Sequence, residues 1–174
     1  MATRRQPKKL DVDGLWNYAL GLLQKRAYSI GELKQKLRLR AETASALEET
    51  LAKLRTYNFT DDQKFSEAFA ASRLESKGFG PARVLHDLRA RRVAGAVAER
   101  AVNSAFAGKD ERQLVENFLA RKYRGKNLAE FLAEEKNLAS VYRRLRTAGF
   151  GSRVVLDALK RHREFAEDFE EPTE

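Results

Sequence analysis

Two arginine-rich segments contain the residues best suited to bind an anionic partner. They run from Arg73 to Arg92 and from Tyr142 to Arg163, and in both of them basic residues outnumber acidic ones. An arginine guanidinium is planar and binds a phosphate or a carboxylate through two parallel hydrogen bonds. These segments predict a binding surface, although a solvated helical surface of the same composition is the alternative interpretation. The candidate contacts for a protein or DNA partner are Arg73, Lys77, Arg83, Arg89, Arg91, Arg92, Arg143, Arg144, Arg146 and Arg153.

Residues for catalysis or metal binding are scarce in this sequence. It has no cysteine and only two histidines, His86 and His162, which excludes thiolate metal sites and a cysteine nucleophile. Asp61 and Asp62 stand directly before an apolar-periodic segment, where paired carboxylates are typical of a helix N-cap. The Gly78-Phe79-Gly80 segment lacks the lysine and hydroxyl residue of a phosphate-binding loop. We therefore predict that the protein is not an enzyme and has no catalytic residue, no bound metal, no cofactor and no small-molecule substrate.

The charge of the chain favours a polyanionic or acidic partner. Its 174 residues carry a formal charge of +9, and the segment 164–174 holds six acidic residues and no basic one. Residues 1–163 are therefore more strongly basic than the total suggests. We predict a basic N-terminal tail over 1–12 and an acidic C-terminal tail over 168–174. The acidic tail would compete with polyanions for the basic surface.

The composition is typical of a folded helical protein. Hydrophobic residues make up 43% of the chain, which has 10 glycines and 3 prolines. No apolar run approaches the roughly 18 residues that a transmembrane helix needs. Residues 1–10 lack the apolar stretch of a signal peptide. We therefore predict a cytoplasmic protein without a membrane partner.

Apolar residues recur at spacings of three and four along most of the chain, which predicts amphipathic helices. Ser29 followed by Glu32 predicts a capping box at the start of one of them. Left-handed C-caps are predicted at Asn58, Gly78, Gly108 and Gly149. The predicted helices cover 12–26, 30–40, 43–56, 61–76, 81–91, 95–107, 110–123, 129–146 and 151–167.

The predicted helices fall into three similar groups. Offsets of 51, 57 and 49 residues superimpose their patterns. The matching positions include Ser29 with Gly80, Leu33 with Val84, Leu88 with Leu145 and Arg73 with Lys122. The predicted fold is therefore all-α, with three tandem three-helix repeats over 13–60, 61–108 and 109–167 that form an elongated, curved array.

The middle repeat contains a motif of defined order and spacing. It consists of Asp61-Asp62-Gln63-Lys64-Phe65, Arg73, Lys77-Gly78-Phe79-Gly80-Pro81, Arg83-Val84 and Asp87-Leu88. The motif resembles the RecX family, the bacterial regulators of the RecA recombinase, and the resemblance covers about residues 13–163. One position departs from the family, which commonly has Lys-Gly where this chain has Arg91-Arg92. The conformation of this turn is therefore open.

The resemblance implies a regulator without enzymatic activity. It implies binding to the nucleoprotein filament that RecA forms on single-stranded DNA. It also implies inhibition of the filament's ATPase, strand exchange and coprotease activities, with a role in DNA repair, recombination and the SOS response. Some family members also bind DNA directly. A direct DNA-binding protein with helix-turn-helix-like units is the alternative, and it would hold naked single- or double-stranded DNA with a steep salt dependence.

Overall fold

The computed structural model describes residues 8–167 of the chain. Its helices are α1 (Val12–Leu23), α2 (Ile30–Arg38), α3 (Ala44–Thr56), α4 (Asp62–Ser72), α5 (Pro81–Ala90), α6 (Gly95–Phe106), α7 (Glu111–Lys122), α8 (Leu128–Ala133), α9 (Glu135–Thr147) and α10 (Ser152–Glu167). The all-α prediction is confirmed. The predicted acidic tail 168–174 and residues 1–7 of the predicted basic tail lie outside the described residues.

The predicted helix ends agree with the cap geometry. The Ser29 hydroxyl accepts the backbone N–H of Glu32 at 3.0 Å, and the Glu32 carboxylate accepts the backbone N–H of Ser29 at 3.3 Å, which confirms the capping box. Asp61 Oδ1 accepts the backbone N–H groups at the start of α4. Asp62 instead accepts the backbone N–H of Ile30 at 2.8 Å, at the start of α2. The predicted left-handed caps are all confirmed at Asn58, Gly78, Gly108 and Gly149.

Two helices differ from their predicted form. The last four residues of the predicted helix 61–76, together with Lys77, adopt a π-helical turn over Arg73–Lys77. The predicted helix 129–146 is wrong, because the extended backbone of Glu134 separates α8 from α9. The apolar positions explain the break, since Leu132 and Leu138 are six residues apart and one continuous helix would place Glu135 on its buried face.

The described chain divides into two compact units. Unit 1 comprises residues 8–69 and 88–101, and unit 2 comprises residues 70–87 and 102–167. The helices α4, α5 and α6, which form the predicted middle repeat, each contribute residues to both units. The division into three repeats stays a prediction.

Unit 1 is built around α1, α2 and α3. Its core holds leucines from all three helices, and Leu15, Leu37 and Leu54 are completely buried. Each of these leucines lies on the apolar stripe of an amphipathic helix, which is why the three helices pack together. Leu10, just before α1, pairs its backbone with residues 40–42 after α2 and so ties the start of the described chain to this core.

Unit 2 is built around α7, α8, α9 and α10. The apolar faces of these helices bury Val115, Leu132, Leu145 and Val155 completely. Phe150, in the turn between α9 and α10, is also almost fully buried and packs edge-to-face on Phe118 with ring centroids 5.8 Å apart. This packing fixes the spacing of α7 and α9, the two helices that flank the groove described below.

Candidate functional site

A carboxylate at the centre of α5 positions two of the predicted contact residues in unit 2. Asp87 Oδ1 accepts a hydrogen bond of 2.9 Å from Arg83 Nε, and Asp87 Oδ2 lies 3.8 Å from Arg73 Nε. The Arg83 guanidinium also lies 5.4 Å from the centroid of the Phe79 ring, in a cation–π contact. Both arginines are half-buried, so these contacts hold their side chains in place.

The start of α5, the end of α7 and the outer side of α9 enclose an open groove of about 550 Å³, here called the basic groove. Its cations are Arg83, Lys122, Arg143 and Arg144, and none of its lining residues is acidic. Its apolar surface comes from Phe79 and Phe118. The basic groove therefore combines residues from both predicted arginine-rich segments.

Arg143 and Arg144 are exposed on α9, and the Arg144 guanidinium lies 5.8 Å from the centroid of the Tyr123 ring. An arginine in such a contact keeps its hydrogen-bond donors directed outward. Four cations beside an aromatic ring are suited to binding several phosphates or carboxylates with an apolar group between them. The basic groove can therefore bind an extended anionic partner.

The predicted contacts on the C-terminal side of α5 belong to unit 1 and are engaged there. Arg89 Nη2 lies 3.0 Å from Glu99, and Arg92 Nε donates a 2.7 Å hydrogen bond to Gln35. Arg91 Nη1 lies 3.2 Å from Glu32. These arginines have partners within unit 1, and we do not place them in the basic groove.

Glu32 is the centre of the polar contacts in unit 1. Arg26 Nη2 lies 3.0 Å from its carboxylate, and the side chain is 14% exposed. Burial disfavours the charged carboxylate, but the hydrogen bonds from Arg26 and the Ser29 backbone and the charge of Arg91 outweigh it. The pKa of Glu32 is therefore lowered, and the same hydrogen bond raises the pKa of Arg26.

The other predicted contacts lie apart from the basic groove. Lys77 is exposed at the end of the π-helical turn, and Arg153 is exposed on the first turn of α10. Arg146 Nη1 donates a 2.6 Å hydrogen bond to the carbonyl oxygen of Phe150, so it stabilises the turn between α9 and α10. Of the predicted contacts, Arg83, Arg143 and Arg144 are thus the ones that meet at the groove.

The described residues show no site for a metal and no membrane span. Within residues 8–167, no group of three His, Asp or Glu side chains is placed to hold a metal ion. No helix in the same range combines the length and the apolar character needed to cross a membrane. His162 contacts Glu116 at 2.8 Å, which joins α10 to α7.

Residues 61–102 match the family model described as RecX, second three-helix domain. The regulatory protein RecX of Syntrophotalea carbinolica is 27% identical over 149 residues, which span 85% of this chain and 95% of that protein. The regulatory protein RecX of Halorhodospira halophila is 36% identical over 87 residues, which span 50% of this chain and 53% of that protein.

The chain is similar to RecX proteins over most of its length. Its fold is also that of solved RecX structures. The crystal structure of RecX from Lactobacillus salivarius has a TM-score of 0.65 and 18% sequence identity, and the match covers 87% of this chain and 96% of that one. A second crystal structure of a regulatory protein RecX has a TM-score of 0.67 and 20% identity, over 86% of this chain and 73% of that one.

The turn at Arg91-Arg92, where the sequence departs from the RecX pattern, is left-handed at its second residue. Arg92 has a φ of 59°, the left-handed conformation that glycine adopts without steric cost. The turn after α5 therefore carries the strain of an arginine in this conformation.

Sequence reasoning missed Lys122, Phe79 and Phe118 as groove residues. A usable signal existed for Lys122, because the repeat alignment lays it on Arg73, which was already a predicted contact. Phe118 carried no such signal, because an aromatic residue on an apolar helix face is more typical of a core than of a binding surface. Phe79 lies in the turn before α5, where its spacing gave no indication of a groove.

Proposed function

We propose that the protein binds the RecA nucleoprotein filament and inhibits its ATP hydrolysis, strand exchange and coprotease activities in DNA repair and recombination. The role is that of a cytoplasmic regulator without enzymatic activity. The curated relatives are named regulatory proteins, which supports this class of function.

The single observation that carries the proposal is the basic groove. Four cations converge on it from α5, α7 and α9, and Arg83 is held there by Asp87. A RecA filament on single-stranded DNA presents both phosphates and protein carboxylates, and a groove with fixed arginines binds either group. We infer that the filament contacts the protein through this groove.

The direct DNA-binding alternative shares the same groove, because phosphates would bind to the same cations. The two functions differ in where the affinity lies. A DNA-binding protein holds naked DNA tightly, and its affinity falls steeply as salt increases. A filament regulator prefers the nucleoprotein.

The test measures binding and inhibition together. Fluorescence anisotropy of labelled single-stranded DNA, with and without RecA and ATP, gives the two affinities at about 50 and 200 mM salt. ATP hydrolysis by RecA is followed in a parallel titration. We expect tighter binding to the filament than to DNA, and inhibition at amounts below one protein per RecA. Tight binding to naked DNA with unchanged hydrolysis would replace the regulator by the DNA-binding alternative.

A further inference from the structure

A second groove lies between α9 and α10 in unit 2, and its walls are mainly apolar. They are formed by Leu138, Tyr142, Leu156 and Leu159, and the groove encloses about 500 Å³. The side chain of Leu156 is 47% exposed. Covering this leucine with an apolar partner would remove its surface from water, which favours a complex. We call this surface the apolar groove.

The walls of the apolar groove are held in place by the core of unit 2. Leu159 belongs to this core, and Leu138 and Tyr142 are partly buried against it. The Tyr142 hydroxyl also shares a hydrogen bond of 3.0 Å with the Ser152 hydroxyl, which fixes the ring at the groove. A partner therefore meets a preformed surface, and little side-chain entropy is lost when it binds.

The dimensions of the apolar groove suit an α-helix. Its lining residues run over 135–143 of α9 and 156–163 of α10, a rise of about 10 to 12 Å or two helical turns. A helix laid along this groove keeps its backbone N–H and C=O groups in internal hydrogen bonds. An extended peptide would turn some of these groups toward the apolar walls, where they find no partner. A helix with apolar residues at every third or fourth position therefore fits better.

The rim of the apolar groove defines the charge of that helix. Of the described residues that line the groove, Arg143, Lys160 and Arg163 are basic and Glu135 is acidic. All four are exposed, so their charges are accessible to a partner. Cations around apolar walls are complementary to a helix that has carboxylates on both sides of its apolar face.

We propose that the apolar groove is a docking site for an acidic amphipathic helix of another protein. The apolar face of that helix covers Leu156 and Tyr142, and its carboxylates pair with Lys160 and Arg163. A second copy of this chain is a poor occupant, because two basic rims would then face each other. The docking site goes beyond the proposed function, which rests on the basic groove.

The test uses designed peptides of about 14 residues, a typical length for a protein helix. The probe is labelled with fluorescein and has leucine at every third or fourth position and glutamate elsewhere. One comparison peptide has the same composition in scrambled order, and another has lysine in place of glutamate. Fluorescence anisotropy with the full chain should show that the probe binds about tenfold more tightly than either comparison peptide.

Two pairs of variants locate the binding site. Leu156→Glu should weaken binding of the probe about tenfold, because it places a carboxylate on the groove wall. Leu39→Glu is the matched control, since Leu39 is 67% exposed in unit 1 and the change in charge is the same. Arg163→Glu should weaken binding more than Arg100→Glu, an exposed position of unit 1, and salt should reduce this difference. All four positions are exposed, so the fold should be retained.

Three results would overturn the proposal. Equal affinity for the probe and the scrambled peptide would show that the chain attracts acidic peptides without a docking site. Equal affinity of Leu156→Glu and Leu39→Glu for the probe would place the binding site outside the apolar groove. A dimer in sedimentation equilibrium that Leu156→Glu alone dissociates would assign the groove to a second copy of the chain. The experiment needs neither RecA nor DNA, so its outcome is independent of the proposed function.

Discussion

Each compact unit contains a junction in which the turn after one helix packs on the start of another, and the two junctions use corresponding positions. In unit 1, the Ser29 hydroxyl donates a hydrogen bond to the carbonyl oxygen of Arg91. In unit 2, the backbone N–H of Gly80 donates to the carbonyl oxygen of Ala148 at 2.8 Å. The offset of 51 lays Ser29 on Gly80, and the offset of 57 lays Arg91 on Ala148.

The two junctions differ in the number of glycines that they contain. Unit 1 has one, at the helix start, whereas unit 2 has Gly149 in the turn and also Gly80 at the helix start, where a Cβ would lie 2.5 Å from the Gly149 carbonyl oxygen. In unit 1 the helix start has Gly31, and a Cβ there would lie 2.6 Å from Arg92 Cβ. In unit 2 the turn has Gly149, and a Cβ there would lie 2.5 Å from Arg83 Cβ. Each junction therefore has glycine where the two backbones approach most closely. At the left-handed position of the turn, unit 1 has Arg92, whose backbone is strained there. Unit 2 has Gly149 at the corresponding left-handed position, where glycine carries no such strain.

The largest loss of stability is expected from a substitution at Gly149. Gly149→Ala combines a left-handed φ of 95° with overlap against the Arg83 backbone, and should destabilise unit 2 by about 2 to 5 kcal/mol. Denaturant unfolding with amide hydrogen exchange measures the loss and assigns it to a unit. Gly108→Ala is the control, since Gly108 is left-handed at 69° but has open space around it, and should cost only about 1 kcal/mol. Equal costs would show that the overlap at the junction is unimportant.

The second-largest loss of stability is expected at Glu32, which makes polar contacts in unit 1. Glu32→Gln removes the carboxylate that faces Arg26 and Arg91, and should cost about 1 to 3 kcal/mol. Glu48→Gln also removes an ion pair, with Lys34, but both partners are exposed, so its unfolding midpoint should stay unchanged. A similar loss in both variants would mean that Glu32 acts only as a surface charge.

The carboxylate of Glu32 also makes the stability of the protein depend on pH. The lowered pKa of Glu32 gives a contribution to stability that is complete above the ordinary carboxyl pKa of 4.5. It is lost as the pH falls below that value through the pKa of the folded state. Thermal unfolding between pH 7 and pH 3 should therefore decline more steeply in the wild type than in Glu32→Gln. Parallel curves would contradict the role of this carboxylate.

The smallest change in stability is expected at Arg92, where the left-handed backbone is strained. Arg92→Gly and Arg92→Ala both lose the hydrogen bond to Gln35, but only glycine relieves the left-handed strain. The glycine variant should therefore be about 1 kcal/mol more stable than the alanine variant in denaturant unfolding. Identical stabilities would indicate that the turn changes conformation when the arginine is removed.

Much of the fold follows from local patterns in the sequence. The capping box at Ser29 and the left-handed cap at Gly78 depend on neighbouring residues, so spacing alone predicts them. No glycine or proline marks the break between α8 and α9 at Glu134. The break can be inferred only from the spacing of Leu132 and Leu138, which does not fit the apolar face of one continuous helix. The division into two units could not be predicted, because contacts such as Ser29 with Arg91 join residues far apart in the chain.

The candidate site was only partly predictable for the same reason. A local count of charges treats Arg89 and Arg91 as available, although Glu99 and Glu32 pair with them in the folded chain. Within the described part of unit 2, Arg143 and Arg144 form no ion pair, and both of them line the basic groove. Spacing cannot show which acidic residue the fold brings to an arginine.

Under the proposed function, the basic groove carries the contact with the RecA filament. The most direct measurement compares two charge-reversed variants with the same change in net charge. One changes Lys122, Arg143 and Arg144 to Glu in the groove, and the other changes the exposed Lys25, Arg55 and Arg100 of unit 1 to Glu.

Inhibition of RecA ATP hydrolysis on single-stranded DNA is titrated with each variant, after thermal unfolding has shown that both remain folded. The account predicts that the groove variant needs at least tenfold more protein for half-inhibition, whereas the unit 1 variant stays close to the wild type. Equal weakening of both variants would show that net charge alone drives binding. Full inhibition by the groove variant would contradict the assignment of the contact to the basic groove.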